Sequence, residues 1–90
     1  MSHTKGEKDK LLNRIRRVRG QLEAVERAVD GEQGCAIVLH LIVAARGAIN
    51  SLMTEVIEDH IRLHVVDPPT DAERKGGAEE LVEALQSYLR

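Results

Sequence analysis

A chain of 90 residues with 42% apolar side chains, a single tyrosine and no Phe or Trp can build only a thin core of Leu, Ile, Val and Ala, and such small chains ordinarily complete their cores by packing against copies of themselves. Its one cysteine excludes an internal disulfide and suits a reducing compartment, and no basic segment precedes an apolar one, so no signal peptide is expected. The net charge of −2 is unevenly spread: Lys8, Lys10, Arg14, Arg16, Arg17 and Arg19 face a single Asp9, whereas acids outnumber bases from Asp67 onward, so a local basic patch can still meet a polyanion.

The first element is signalled at Thr4-Lys5-Gly6-Glu7, whose spacing is that of a capping box. Leu11, Leu12, Ile15, Val18, Leu22, Val25 and Val29 then recur at helical spacing on one face, with Lys10, Arg14 and Arg17 on another. Asp30-Gly31 ends this helix, with glycine expected in the left-handed cap position.

From Cys35 to His64 the chain holds no proline and few turn signals, which predicts one long central helix. Val65-Val66-Asp67-Pro68-Pro69 closes it. Thr70-Asp71-Ala72-Glu73 is a second capping box, and Gly76-Gly77 weakens the helix that follows, which leaves its start open between 72 and Ala78. Its stripe is Leu81, Val82, Leu85, Tyr88 and Leu89. The expectation is one all-α domain over 1–90, with helices near 5–30, 34–65 and 72–89 and no strands.

Between Ala36 and Ala45 the central helix is apolar nearly all round, and it must be covered all round. Its His40, Arg46, Asn50 and Glu55 argue against a membrane span, and two short neighbours cannot cover it. Self-association is expected, with Ala44, Ala45, Gly47 and Ala48 allowing close helix approach.

Cys35 and His60 are 25 positions apart, about 37 Å along a helix, so one chain cannot bring them to one metal. In an antiparallel pair of central helices crossing near Gly47 and Ala48, Cys35 of one protomer lies beside His60 and His64 of the other, giving two sites by symmetry. Singly, His60 and His64 read as surface, Cys35 as a small buried hydrophobe and His3 as tail. Together they form a candidate metal set, and spacing alone leaves both readings open. His40 and Arg46 are assigned structural or surface roles.

The stretches RVRGQLEAVER (17–27), the cysteine followed by LIVAARGAINSLMTEVIEDHI (41–61) and the opening MSHT resemble the CsoR/RcnR family of metal- and formaldehyde-responsive transcriptional repressors. The likeness covers nearly the whole chain and thins at residues 66–80. It implies a helical-bundle dimer paired into a homotetramer, without a helix-turn-helix. Copper sensors of the family carry a second cysteine where this chain has His64, and formaldehyde sensors carry proline where it has Ser2. His3, Cys35, His60 and His64 match the nickel/cobalt (RcnR/DmeR-like) branch one by one. A nitrogen-rich set with one thiolate and room for five or six ligands suits Ni(II) or Co(II) as effector, although Zn(II) or Cu can bind in vitro.

That resemblance gives the basic helix a partner, double-stranded operator DNA. Lys8, Lys10, Arg14, Arg16, Arg17 and Arg19 would meet phosphate, four copies per tetramer. A solvated charged face is the bland alternative, weakened because the run is almost purely of one sign. The expected activity is cytoplasmic repression of a metal-efflux gene, relieved by metal. Two alternatives are a formaldehyde-responsive repressor sensing through Cys35 and a metal-binding helical protein with no DNA role. An enzyme is not expected, because no nucleophile, base and orienting group come together in the pattern.

Overall fold

The computed structural model describes residues 5–89 and contains three α-helices: α1 (Lys5–Asp30), α2 (Cys35–His60) and α3 (Asp71–Tyr88). A six-residue π-helical segment, Ile61–Val66, continues directly from α2. No strand occurs among the described residues. The chain packs as two units, one ending at Met53 and the other beginning at Thr54.

In the first unit, α1 and the front of α2 form an antiparallel hairpin. Among the covered side chains of α1, Leu11, Arg14, Val18, Gln21, Val25 and Ala28 form one series, with Leu12 and Ala24 beside it, and along the front of α2 Val38, Leu41, Ala45, Ala48 and Leu52 form another, with Met53 beside it. Both series alternate spacings of three and four, the signature of a helix–helix seam. Two of the α1 positions are polar, so the seam differs from the apolar face expected of this helix. Ile15, Leu22 and Val29 of that face remain 40%, 51% and 59% exposed, and Ile42 and Ile49 of α2 are 46% and 40% exposed. Covering what remains of each would contribute roughly 1 kcal/mol.

The stretch from Cys35 to Val66 is long and apolar enough to cross a membrane, and 6% of its most apolar window is buried in the single chain. Such a helix is equally the uncovered core helix of a soluble assembly.

The turn between α1 and α2 departs from expectation. Gly31 does not take the left-handed conformation; Glu32 does, at φ 54°. Gln33 N–H donates to the Ala28 carbonyl (3.0 Å) and Glu32 N–H to that of Val29 (3.1 Å), a Schellman cap with Glu32 at its left-handed residue. The six-to-one bond from Gln33 to Ala28 sets that position one residue beyond the glycine. A side chain there costs about 1–2 kcal/mol, and glycine returns part of the gain as unfolded-chain entropy. Glu32→Gly is therefore expected to stabilise the protein by about 0.5–1 kcal/mol, read from the urea midpoint at fixed protomer concentration.

In the second unit, Thr70 is the N-cap of α3, extended at φ −113° and ψ 151°, and its hydroxyl accepts from Glu73 N–H at 3.2 Å. Arg74 ties the turn down by donating to the Pro68 carbonyl (2.6 Å) and to the Asp71 carboxylate. The helix thus starts at Asp71, close to the expected 72, and runs through Gly76-Gly77 without a delay to Ala78. The capping interaction and the packing of Gly77 outweigh the poor helix propensity of the glycine pair.

The end of the long helix differs too. After His60 the bonding widens to π geometry, and Asp67 N–H donates to the Arg62 carbonyl at 3.0 Å to close it. Single-turn π segments of this kind concentrate at functional sites.

Candidate metal centre and nucleic-acid interface

His60 closes α2 and His64 sits within the π-helical segment, both half-buried. Their ring centroids are 4.9 Å apart with planes inclined at 44°, so two imidazoles share one side of the chain and can converge on one ion. His60 Nε2 lies 2.8 Å from the Gly77 carbonyl oxygen. A carbonyl only accepts, so Nε2 carries the hydrogen and donates; in the neutral ring Nδ1 keeps the free lone pair. A backbone carbonyl that fixes one ring nitrogen in this way orients the other for a metal.

Gly77 makes that bond possible. It is buried, and a Cβ built there would lie 1.9 Å from the His64 carbonyl oxygen and 2.9 Å from the His64 Cβ. The α3 backbone is therefore pressed directly against the backbone of a candidate ligand. Asp59 supports the same segment: it is 3% exposed and accepts from Arg62 at 2.7 Å. A buried carboxylate of this kind is costly unless paired. Neither Gly77 nor Asp59 figured among the sequence-derived site residues. The acid–base spacing of three around His60 was a usable signal for Asp59; for Gly77 the signal was a glycine pair inside an otherwise helical pattern.

Cys35 is the first residue of α2 and its thiol is exposed, beside an apolar groove of about 360 Å³ lined by Val29, Gln33, Val38 and Leu39. His3 lies outside the described residues. Among the described residues, no three His, Cys, Asp or Glu side chains gather into a metal-holding group. The two histidine rings are the candidate donors that the structure brings together. His40 is exposed on α2.

Of the basic side chains, Lys8, Lys10, Arg16, Arg17 and Arg19 are exposed on α1. Arg16 donates to Asn13 Oδ1 at 2.9 Å. Arg14 is different, because it occupies a seam position, half-buried, and donates to the Ser51 hydroxyl of α2. On this flank of the hairpin a cleft of about 390 Å³ opens between the helices. Arg14, Arg17, Gln21 and Ser51 line it above Ala44, Gly47 and Ala48. The small residues at the middle of α2 thus face the chain's own α1 across open space. The other flank carries an apolar groove of about 330 Å³ lined by Leu22, Val25, Ile42, Ala45, Arg46 and Ile49. By helical periodicity the two α2 linings lie on opposite sides of the seam.

Comparison with known proteins places these features in context. A family model described as metal-sensitive transcriptional repressor matches residues 7–87. An uncharacterised protein in the bioA 5′ region of Serratia marcescens is 44% identical over 91 residues, spanning all of both chains. The transcriptional repressor RcnR of Citrobacter koseri is 39% identical over 90 residues, again end to end. Among solved structures, a variant of the formaldehyde-responsive regulator FrmR from Salmonella enterica serovar Typhimurium superposes with a TM-score of 0.88 at 39% identity, covering 97% of this chain and 99% of that one. The copper-sensing repressor CsoR with Cu(I) from Geobacillus thermodenitrificans gives a TM-score of 0.90 at 21% identity, covering 100% and 94%, a likeness of fold.

Proposed function

Because the chain belongs to the metal-sensitive transcriptional repressors, the CsoR/RcnR family, we propose that it is the nickel- or cobalt-responsive kind, holding operator DNA when metal-free and releasing it when Ni(II) or Co(II) binds. The family consists of transcriptional repressors and not of enzymes. The observation that carries the metal reading is the His60–His64 pair, with rings 4.9 Å apart and His60 Nε2 already donating to Gly77. Two oriented imidazoles, the Cys35 thiolate and His3 would compose the set; full-length similarity to RcnR supports nickel or cobalt within it. Metal bound there would act as an effector, neutralising the thiolate and drawing the donors together.

Assembly follows from what one chain leaves uncovered. The apolar flank around Leu22, Ile42 and Ile49 is where a second copy would pack. An antiparallel pairing of central helices brings Cys35 of one protomer to the histidine pair of its partner, and pairing of dimers gives a homotetramer. The opposite flank, with Arg14 and Arg17, stays open to double-stranded DNA, and Lys8, Lys10, Arg16 and Arg19 extend the positive surface. The protein would work in the cytoplasm on the promoter of a metal-efflux gene.

The release step requires metal to favour one state of the assembly over another. His3 precedes the basic residues of α1 on the chain, so its capture by the metal would shift the adjoining positive surface. A coupling of about 1–3 kcal/mol weakens operator binding roughly 5–150-fold. Titration of a promoter duplex with and without Ni(II) or Co(II) tests this; equal affinities sink the proposal. A Co(II) spectrum with a thiolate charge-transfer band and weak d–d bands is expected of five or six ligands, and intense d–d bands would point to a tetrahedral site instead.

A second reading has one specific support, the likeness to a formaldehyde-responsive regulator together with the exposed Cys35 thiol. Mass spectrometry after formaldehyde treatment decides it: a methylene bridge between Cys35 and the N-terminus would establish that signal.

A further inference from the structure

We infer that the ion pair between Asp59 and Arg62 is the clamp that holds the α-to-π junction, and through it the spacing of the His60 and His64 rings. The inference deepens the metal-sensing reading and rests on it only for what the two rings would hold; the clamp itself belongs to the chain without metal.

Asp59 lies at the end of α2, just before His60, and Arg62 lies within the π-helical segment. The Arg62 guanidinium donates to Asp59 Oδ1 at 2.7 Å, and the Arg62 carbonyl accepts from Asp67 N–H at 3.0 Å. One residue thus ties the segment backward to α2 and forward to its own end. His60 falls inside the first tie and His64 inside the second. A π turn is rare because its register is poorly favoured by itself, and it changes the angle at which His64 projects relative to His60. Holding that register sets how the two rings, 4.9 Å apart, face each other.

Burial separates this pair from an ordinary surface contact. The Asp59 side chain is 4% exposed and that of Arg62 is 49% exposed. A carboxylate so placed is strongly destabilising once its partner is removed. The same unit offers an internal contrast in Asp71 and Arg74, an acid–base pair with the same spacing whose Asp71 side chain is 98% exposed and whose two members both lie within α3. An exposed pair of that kind contributes little, and it bridges no change of helix type.

The clamp and Gly77 divide the work. The Gly77 carbonyl fixes the His60 ring, and the Gly77 backbone abuts that of His64. The ion pair acts instead on the turn between the two histidines. Partners of metal-ligating histidines ordinarily orient the ring; here Asp59 and Arg62 orient the backbone that carries both rings, as positioning residues and not as ligands.

The test begins on the full-length protein without metal, by NMR. Arg62→Gln should speed hydrogen exchange at Asp67 N–H about tenfold, the weight of one hydrogen bond to a charged group, and abolish the ring-to-ring contact of His60 and His64, with the amides of the α1–α2 hairpin unchanged. Arg62→Lys, which still reaches the carboxylate, should keep the contact. Asp59→Asn leaves no buried charge and so folds even where Arg62→Gln does not; its effect should be smaller, because a neutral acceptor binds the guanidinium at about half the strength. Arg74→Gln, the control for general loosening of the unit, should leave the rings in place. Co(II) is then added: Arg62→Gln should bind it roughly 10–100-fold more weakly, with displaced d–d bands. Rings that stay together in both Arg62→Gln and Asp59→Asn overturn the proposal, as does an unchanged Co(II) spectrum and affinity after the rings have parted. Wild-type protein that takes up neither Co(II) nor Ni(II), with the rings still parting in the variants, removes the metal reading and leaves the clamp standing.

Discussion

Gly77→Ala is expected to destabilise the protein by about 3 kcal/mol, near the upper range for forcing an extra carbon into a packed site. The added Cβ would sit 1.9 Å from the His64 carbonyl oxygen and 2.6 Å from its carbon, so backbone rather than a flexible side-chain tip must give way. α3 has to lift off the π-helical segment, and the bond from His60 Nε2 to the Gly77 carbonyl goes with it. Metal affinity should fall with stability, because the ring that loses its carbonyl partner is free to rotate. The neighbouring glycine is the control. A Cβ at Gly76 meets nothing within 4 Å, and Gly76→Ala should stabilise α3 by about 0.8–1 kcal/mol through helix propensity alone. Urea denaturation at one protomer concentration measures both. Similar effects of the two substitutions would show that the close approach of α3 to His64 is not what holds this unit.

Mixing two inactive variants should restore metal binding. Cys35→Ala removes the thiolate, and the double change His60→Ala and His64→Ala removes the histidine pair; each homogeneous protein should lose roughly a hundredfold or more in affinity, since even supporting partners of metal ligands are worth 10–100-fold. In a mixed dimer of antiparallel central helices, one site combines both defects. The other combines the intact Cys35 of one protomer with the intact histidines of its partner. Unfolding and refolding the two variants together should therefore recover a tight Ni(II) or Co(II) site, with the thiolate charge-transfer band restored, at half the wild-type stoichiometry per mixed dimer. A site drawn from one chain would give no recovery at any mixing ratio. The outcome bears on assembly as well as on ligands, because only pairing across protomers can gather the two defects into one site and leave the other intact.

Much of this architecture was legible in the residue pattern. Helical spacing of apolar residues over long proline-free stretches marked all three helices, and Asp67-Pro68-Pro69 marked the end of the second. The Thr70 cap was readable because its hydroxyl and the Glu73 amide are fixed by local geometry three residues apart. The misplaced features are those in which a local preference met a non-local contact. The range expected for α3, near 72–89, agrees with Asp71–Tyr88, but glycine propensity left its start open as far as Ala78, and burial of Gly77 against His64 holds the glycine pair within the helix. Gly31 was the obvious left-handed residue, yet the long cap bond to Ala28 moves that conformation to Glu32.

The candidate site divides along the same line. The sequence by itself determined which side chains are available: one thiol, a histidine pair at a spacing that shares a helix face, and a run of bases on α1. Residue identity and local periodicity are enough for that. Only the tertiary structure decided which nitrogen of His60 is committed to Gly77, and that Arg14 turns into the seam to meet Ser51 instead of standing in line with its exposed neighbours. Those two pairs are 17 and 37 positions apart in the chain. Spacing along a helix carries no information about contacts between helices, which are set by how the packed faces meet.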